Sequence, residues 1–196
     1  MSLFRGNNNM KKLAVFIPGI GYHCDRPILY FSRKMLIELD FNDYRCLKFS
    51  LEGIPFPQND DEMHQVSDIL LEKTINELKD IDWNMYDKVI FVSKSVGTSV
   101  AVRYANRFNI QNAVHILYTP LLMTYENKIS KGIAFIGTKD QFGDANEITK
   151  LSEENGIPIN VYKGLNHSLE KNDVIEDIDI IKDVIMKTKK YVEKYD

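Results

Sequence analysis

The sequence predicts an α/β protein: a three-layer αβα sandwich whose six-stranded, mostly parallel sheet is covered by helices on both faces. Three observations carry that expectation. Short apolar runs alternate along the chain with stretches whose apolar residues recur at helical spacing. The runs are continuous rather than alternating in polarity, which suits strands buried on both sides. Gly, Pro and other turn residues close most of them.

Leu13-Ala14-Val15-Phe16-Ile17 is the first strand, stopped by Pro18-Gly19. Asp25 is placed to cap a helix with Pro27 in its first turn, and Ile28, Phe31, Met35, Leu36 and Leu39 give that helix its apolar face. Tyr44 to Phe49 reads as a second strand. Ser50 to Asn59, with Gly53, Pro55 and Pro57, is a loop. Met63, Val66, Ile69, Leu70 and Leu78 mark a second helix ending near Asp80. Lys88 to Val92 is a third strand. Val96, Val100, Tyr104 and Phe108 then recur every four residues along a helix packed on something flat. Ala113–Tyr118 and Gly132–Ile136 are the fourth and fifth strands. Glu147–Glu154 is a helix ended by Gly156. Ile157–Tyr162 is a sixth strand, and Pro158 places it at an edge. Val174, Ile178, Ile181 and Ile185 stripe a long final helix.

The chain of 196 residues is the length of one domain, expected over 12–196, with 1–11 as a flexible leader. Lys plus Arg number 25 against 28 Asp plus Glu, so no basic excess points to nucleic acid. No apolar run reaches the ~18 residues needed to span a bilayer, and no secretory leader is evident. A cytoplasmic location without membrane contact is therefore expected. Cys24 and Cys46 form neither a disulfide framework nor a metal spacing and are expected as two reduced thiols. The four histidines do not fall at ligand spacings with Asp, Glu or Cys, so no metal and no cofactor are expected. His23 is expected partly exposed, His64 near a helix start, and His115 as a satisfied core or edge residue. The composition is silent on oligomeric state.

In parallel sheets of this type the ligand site lies at the carboxyl ends of the strands. Those ends carry Pro18-Gly19-Ile20-Gly21-Tyr22-His23, Ser93-Lys94-Ser95-Val96-Gly97, Gly137-Thr138-Lys139-Asp140 and Gly164-Leu165-Asn166-His167. A hydroxyl, a carboxylate and an imidazole thus reach one sheet edge in the chain order Ser95, Asp140, His167. A carboxylate just past a strand can fix the tautomer of a histidine, which can take a proton from a serine. Asp144 is a nearby rival to Asp140.

Ser93-x-Ser95-x-Gly97, between an apolar strand and an apolar-faced helix, resembles the G-x-S-x-G nucleophile elbow of the α/β-hydrolases. Serine in place of the first glycine is a departure that keeps the position small. The resemblance covers the chain from about Lys12 to the final helix. It implies a minimal α/β-hydrolase core, lacking the two leading strands of the eight-stranded fold, and Thr119–Lys131 is too short for a cap domain. It implies Ser95 as nucleophile, His167 as base and Asp140 as its orienting carboxylate. It also implies an oxyanion hole from Val96 N–H and the loop after the first strand. Alignment of Gly19 favours Ile20 N–H there, with Gly21 and Tyr22 as alternatives. Pocket walls are expected from Gly21, Tyr22, Leu121, Leu122, Met123, Tyr125 and Phe142.

The implied activity is cleavage of a small to medium carboxylic ester or thioester through an acyl-enzyme, with a small-molecule ester as partner. The chain is similar in outline to the dienelactone hydrolases, which carry a cysteine nucleophile; Ser95 argues for plain esterase chemistry. Two alternatives stand beside it. One is a catalytically idle hydrolase fold used for binding. The other is a nucleotide-binding protein, since Gly19-Ile20-Gly21 is half of G-x-G-x-x-G; Cys24 at the third glycine and no phosphate-cradling Lys weaken it.

Overall fold

A computed structural model describes residues 10–50 and 52–195. Most of the expected leader, residues 1–9, lies outside the described residues. The element order is β1 (Lys12–Ile17), α1 (Pro27–Glu38), β2 (Asp43–Cys46), α2 (Asp60–Glu77), β3 (Lys88–Lys94), α3 (Val96–Arg107), β4 (Ala113–Tyr118), β5 (Gly132–Gly137), α4 (Ala145–Glu154), β6 (Ile159–Tyr162) and α5 (Val174–Val192), with short 3₁₀ turns at Trp83–Met85, Leu122–Glu126 and Glu193–Tyr195.

All six strands are parallel, in the order β2-β1-β3-β4-β5-β6. Their alternate side chains feed opposite layers. Ala14, Phe16, Ile90, Val92, Ile116 and Phe135 pack under α1 and α5. On the other face, Leu13, Val15, Val89 and Phe91 meet α2 and α3, and Leu117, Ala134 and Ile136 meet α3 and α4. Every residue of β4 and β5 is buried, which is why β5 is an unbroken apolar run and β4 is interrupted only by His115. The chain runs outward from β1 to β2, then returns to β3 and proceeds the other way. The switch point therefore lies between the carboxyl ends of β1 and β3, where such sheets open a crevice.

Several expectations are corrected. The residue before α1 is Arg26, with no side-chain cap; Pro27 starts the helix instead, and Asp25 is ion-paired with Arg33 at 3.1 Å. β2 ends at Cys46, three residues before Phe49. β3 runs on to Lys94. α4 starts at Ala145 because Asp144 caps it, accepting from Asn146 N at 2.7 Å and Glu147 N at 3.3 Å. Phe31, Ile69 and Phe108 are exposed rather than core. Of the stripe assigned to α5, Ile181 and Ile185 pack partly buried against the core as expected, whereas Val174 and Ile178 are exposed and Val184, Thr188, Tyr191 and Val192 complete the docked face. An apolar stripe leaves out Thr188, which docks through its hydroxyl, bonded to Tyr118 OH at 2.9 Å.

His115 is buried in β4 and stacks on Phe91 at 5.5 Å. It is not satisfied: among the described residues, its Nδ1 is a buried side-chain nitrogen with no hydrogen-bond partner. Burial pushes its pKa from 6.5 down to about 4. As pH falls below 6.5 the unfolded chain takes up a proton that the folded chain refuses until about pH 4. Stability should therefore fall across that window, by ~3 kcal/mol for this group. Urea denaturation of His115→Phe, which keeps a flat ring in the slot, is expected to show a shallower loss between those pH values than the parent chain.

Candidate active site

The site is organised by one close approach. A Cβ added at Gly97, in the first turn of α3, would lie 2.5 Å from both Ile17 O and Pro18 O at the end of β1. Only hydrogen fits there, so α3 presses directly on the neighbouring strand. The chain must then pass from β3 to α3 within a single residue. Ser95 takes that turn with φ 56° and ψ −132°, in a region costly for a residue with a side chain. Its N–H is anchored on Tyr118 O at 3.0 Å. Ser93, at the position of the elbow's first glycine, is fully buried and donates its hydroxyl to Ile116 O at 3.3 Å. The departure noted in the sequence therefore fits both in size and in hydrogen bonding. Val96 N–H opens α3, in the turn whose donors have no intrahelical acceptor, and the helix dipole adds positive potential there.

The loop after β5 brings in the carboxylate. Asp140 side chain is 2% exposed and lies 2.8 Å from His167 Nδ1 through either oxygen. Phe142 N–H also donates to Asp140 Oδ1 at 2.9 Å. With Nδ1 bonded to a carboxylate, the proton sits on Nδ1 and Nε2 is left as the basic nitrogen. Asp144, occupied as the cap of α4, is not the partner. The His167 loop is held against the end of β5: a Cβ at Gly137 would collide with Leu165 O at 2.2 Å, and Lys139 N–H donates to Leu165 O at 2.9 Å. Asn166 Oδ1 closes the turn by accepting from Ser168 N and Glu170 N.

Ser95 and His167 line one cavity of about 310 Å³. No hydrogen bond between them is among the described contacts; in an unliganded site such contacts are often long. Ile20, Gly21, Tyr22 and Phe142 line the same cavity. Phe142 meets the His167 ring edge-on at 4.7 Å. Leu121, Leu122 and Met123 instead line a second cavity of about 560 Å³, which shares Phe56, Met63, Gln141 and Phe142 with the first. Tyr125 lines neither; it is buried, with its hydroxyl donating to Ser152. His64 sits in α2, bridging Asp60 O and Glu126, and His23 is exposed. Among the described residues no group of three or more His, Cys, Asp and Glu side chains could hold a metal ion.

Sequence reasoning missed Phe56 and Met63, which reach the cleft from the loop before α2 and from α2 itself. The loop's position after β2, at the same sheet edge, was the available signal. It also missed Lys94. This lysine is 1% exposed, and its ammonium donates to Thr119 Oγ1 at 2.5 Å and to the backbone oxygen of His167 at 2.6 Å. It lies over the Tyr22 ring, 5.0 Å from the centroid. Burial pulls its pKa down to about 7, opposed by the carboxylates of Asp140 and Glu170. His167 is in turn held below its ordinary value by burial first and by the Lys94 charge second, with the Asp140 bond opposing both.

No protein-family model matches the chain, and no curated protein is significantly similar in sequence. Solved structures resemble it in fold. An esterase from Pyrococcus furiosus superposes with a TM-score of 0.60 at 13% identity, over 94% of this chain and 85% of the other. A serine hydrolase without a lid from Xanthomonas campestris gives 0.52 at 12%, over 93% and 84%. Est1E from Butyrivibrio proteoclasticus, solved with ferulic acid bound, gives 0.64 at 10%, over 96% and 92%. The chain has the α/β-hydrolase fold. Within the hydrolase fold the Ser95 turn, Asp140 and His167 stand at the carboxyl edge of β3, at the end of β5 and after β6.

Two outcomes follow. Gly97→Ala drives a methyl group into two backbone carbonyls and should lower stability by at least ~2 kcal/mol in chemical denaturation. In NMR titration the His167 ring is expected to protonate below pH 6.5. Lys94→Met, which removes a neighbouring positive charge, should move that midpoint upward.

Proposed function

We propose that the protein is a serine hydrolase that cleaves a small to medium carboxylic ester or thioester through an acyl-enzyme. The observation that carries this reading is the His167–Asp140 pair at 2.8 Å, whose histidine lines the same cavity as a serine held at φ 56° at the start of a helix. The likeness to structures described as esterases and hydrolases supports it.

In this mechanism Ser95 Oγ attacks the substrate carbonyl carbon while His167 Nε2 takes its proton. Asp140 keeps the imidazole in the Nδ1–H tautomer and stabilises the imidazolium that forms. The carbonyl oxygen, now carrying negative charge, is met by Val96 N–H and by a donor of the Ile20–Tyr22 loop, with Ile20 the first choice; one such donor contributes about 3 kcal/mol to the barrier reduction. His167 returns the proton to the leaving alcohol or thiol. Water, deprotonated by His167, then releases the acid from Ser95. The paired cavities suit a ligand of this size class: the reacting bond lies beside Ser95, and an apolar portion extends toward Leu121, Leu122, Met123 and Phe142. No step requires a cofactor or metal. A small-molecule partner is proposed, in the cytoplasm; no helix among the described residues is long and apolar enough to cross a membrane.

A fluorophosphonate probe is expected to add covalently to Ser95, and Ser95→Ala should abolish the adduct. Asp140→Asn should lower kcat on p-nitrophenyl esters by roughly 10³–10⁴-fold. A folded protein that neither takes the probe nor turns over esters would overturn the reading in favour of a binding protein.

A further inference from the structure

Outside the cleft, a second set of reactive groups lies beneath the loop that follows β1. Cys46 is the last residue of β2, paired in the sheet with Phe16 of β1. Cys24, on the loop between β1 and α1, points its sulfur at the same backbone: Sγ is 3.9 Å from Phe16 O and 3.6 Å from Leu47 O. Leu47 follows Cys46 directly and donates its own N–H to Phe16 O at 3.0 Å. The two cysteines, 22 positions apart in the chain, thus meet around one peptide of β1. Arg33 of α1 completes the cluster. Its Nη1 lies 3.3 Å from Cys46 Sγ, and Asp25 holds its other nitrogen at 3.1 Å. Tyr30 and Tyr44 flank the guanidinium at 5.5 Å and 5.9 Å. Cys46 is half-buried and so reachable from solvent, whereas Cys24 is 4% exposed.

We propose that Cys46 and Cys24 are a peroxide-responsive thiol pair, with Cys46 as the attacking thiolate and Cys24 as the resolving thiol, closing to a disulfide that ties the loop after β1 to the end of β2. The roles follow from the surroundings. The neighbouring Cys24 thiol and the Arg33 cation, whose Nη1 lies 3.3 Å from the sulfur, favour the anion of Cys46 and push its pKa below the usual thiol range against the effect of burial. Cys24, beside Cys46 and buried, is held protonated. The neighbouring Asp25 carboxylate opposes ionisation of both thiols but is engaged by Arg33.

The oxidant is a hydroperoxide. The Cys46 thiolate attacks the terminal peroxide oxygen; the O–O bond breaks, and hydroxide or alkoxide leaves and takes a proton. Cys46 is then a sulfenic acid. Cys24 sulfur attacks the Cys46 sulfur as its proton passes to the departing oxygen, and water leaves. Two thiols have lost two electrons and two protons, and the peroxide has been reduced to water plus water or alcohol.

The consequence for the cleft rests on the esterase reading above. Cys24 lies two residues beyond Tyr22, whose ring faces Lys94 and whose hydroxyl accepts from Ile28 N–H at 3.3 Å. A bond drawn between Cys24 and Cys46 pulls on the Ile20–Tyr22 stretch and should lower ester turnover several-fold.

The test uses the full chain treated with hydrogen peroxide. Intact mass should fall by about 2 Da, the loss of two hydrogens. Peptide mapping should recover a Cys24–Cys46 link within one chain, and dithiothreitol should reverse it. Before oxidation, iodoacetamide should alkylate Cys46 faster at neutral pH than it alkylates free cysteine, and Arg33→Met should slow it. Cys46→Ser should leave basal turnover intact and remove its peroxide sensitivity. Alkylation no faster than free cysteine, or oxidation to sulfinic acid with no intrachain link, would overturn the thiol pair. A link that leaves turnover unchanged would overturn its coupling to the cleft. Absence of any ester turnover in the reduced protein counts against the esterase reading instead, and the mass and mapping results still decide the pair.

Discussion

The contact on which the site depends is the one between the first turn of α3 and the end of β1. It leaves no room for a Cβ at Gly97, so helix and strand touch backbone to backbone. That distance forces the single-residue turn at Ser95 and leaves the Val96 N–H beside it at a helix start. Gly19 obeys the same restriction from the other side, since a Cβ there would lie 2.8 Å from Ser95 Cβ. Ser93 has to be small for a related reason, lying fully buried between β1 and β4. A few small side chains therefore hold a hydroxyl above the sheet edge, and the strain at Ser95 is borne by the packing around it.

The second element is electrostatic. His167 is gripped at both ends: Asp140 binds the ring, and the Lys94 ammonium binds the backbone oxygen. Lys94 precedes Ser95 directly, so one peptide links the hydroxyl to the group that positions the imidazole. Removing an ammonium from water is expensive. Here two oxygen acceptors and the face of Tyr22 offset part of that cost, and no carboxylate contacts the nitrogen directly among the described residues. The positive charge is thus free to act on its surroundings rather than being cancelled at contact.

Much of this was legible in the sequence because the strands are buried on both faces. Continuous runs such as 89–92 and 133–136 have no other comfortable place, and their ends fixed where to search for Ser95, Asp140 and His167. The edge position of β6 followed from Pro158, which cannot donate to a ladder. What misled was the helix surface. Val174, Ile178 and Phe108 look like core residues by spacing, yet they are exposed: Val174 and Ile178 lie near the start of α5 and Phe108 just past the end of α3, and the docked residues lie within each helix. Lys94 was hidden by its type. A lysine just past a strand reads as solvent-facing, and only the three-dimensional arrangement of Thr119 and His167 reveals the acceptors that let it turn inward. Likewise, the meeting of Cys24 and Cys46 depends on the β1–β2 register, which no spacing along the chain encodes.

The cleft is walled by loops from opposite sides of the switch point, and the two walls meet through the rings of Phe56 and Phe142, 6.2 Å apart. Widening the passage between the two cavities therefore takes rotation about side-chain bonds and no hinge in the backbone. Side-chain rotations of this kind are fast compared with domain or segment closure. Passage between the two cavities is accordingly a matter of side-chain rotation at these shared rings, and it should not be the slow event in the life of a bound molecule.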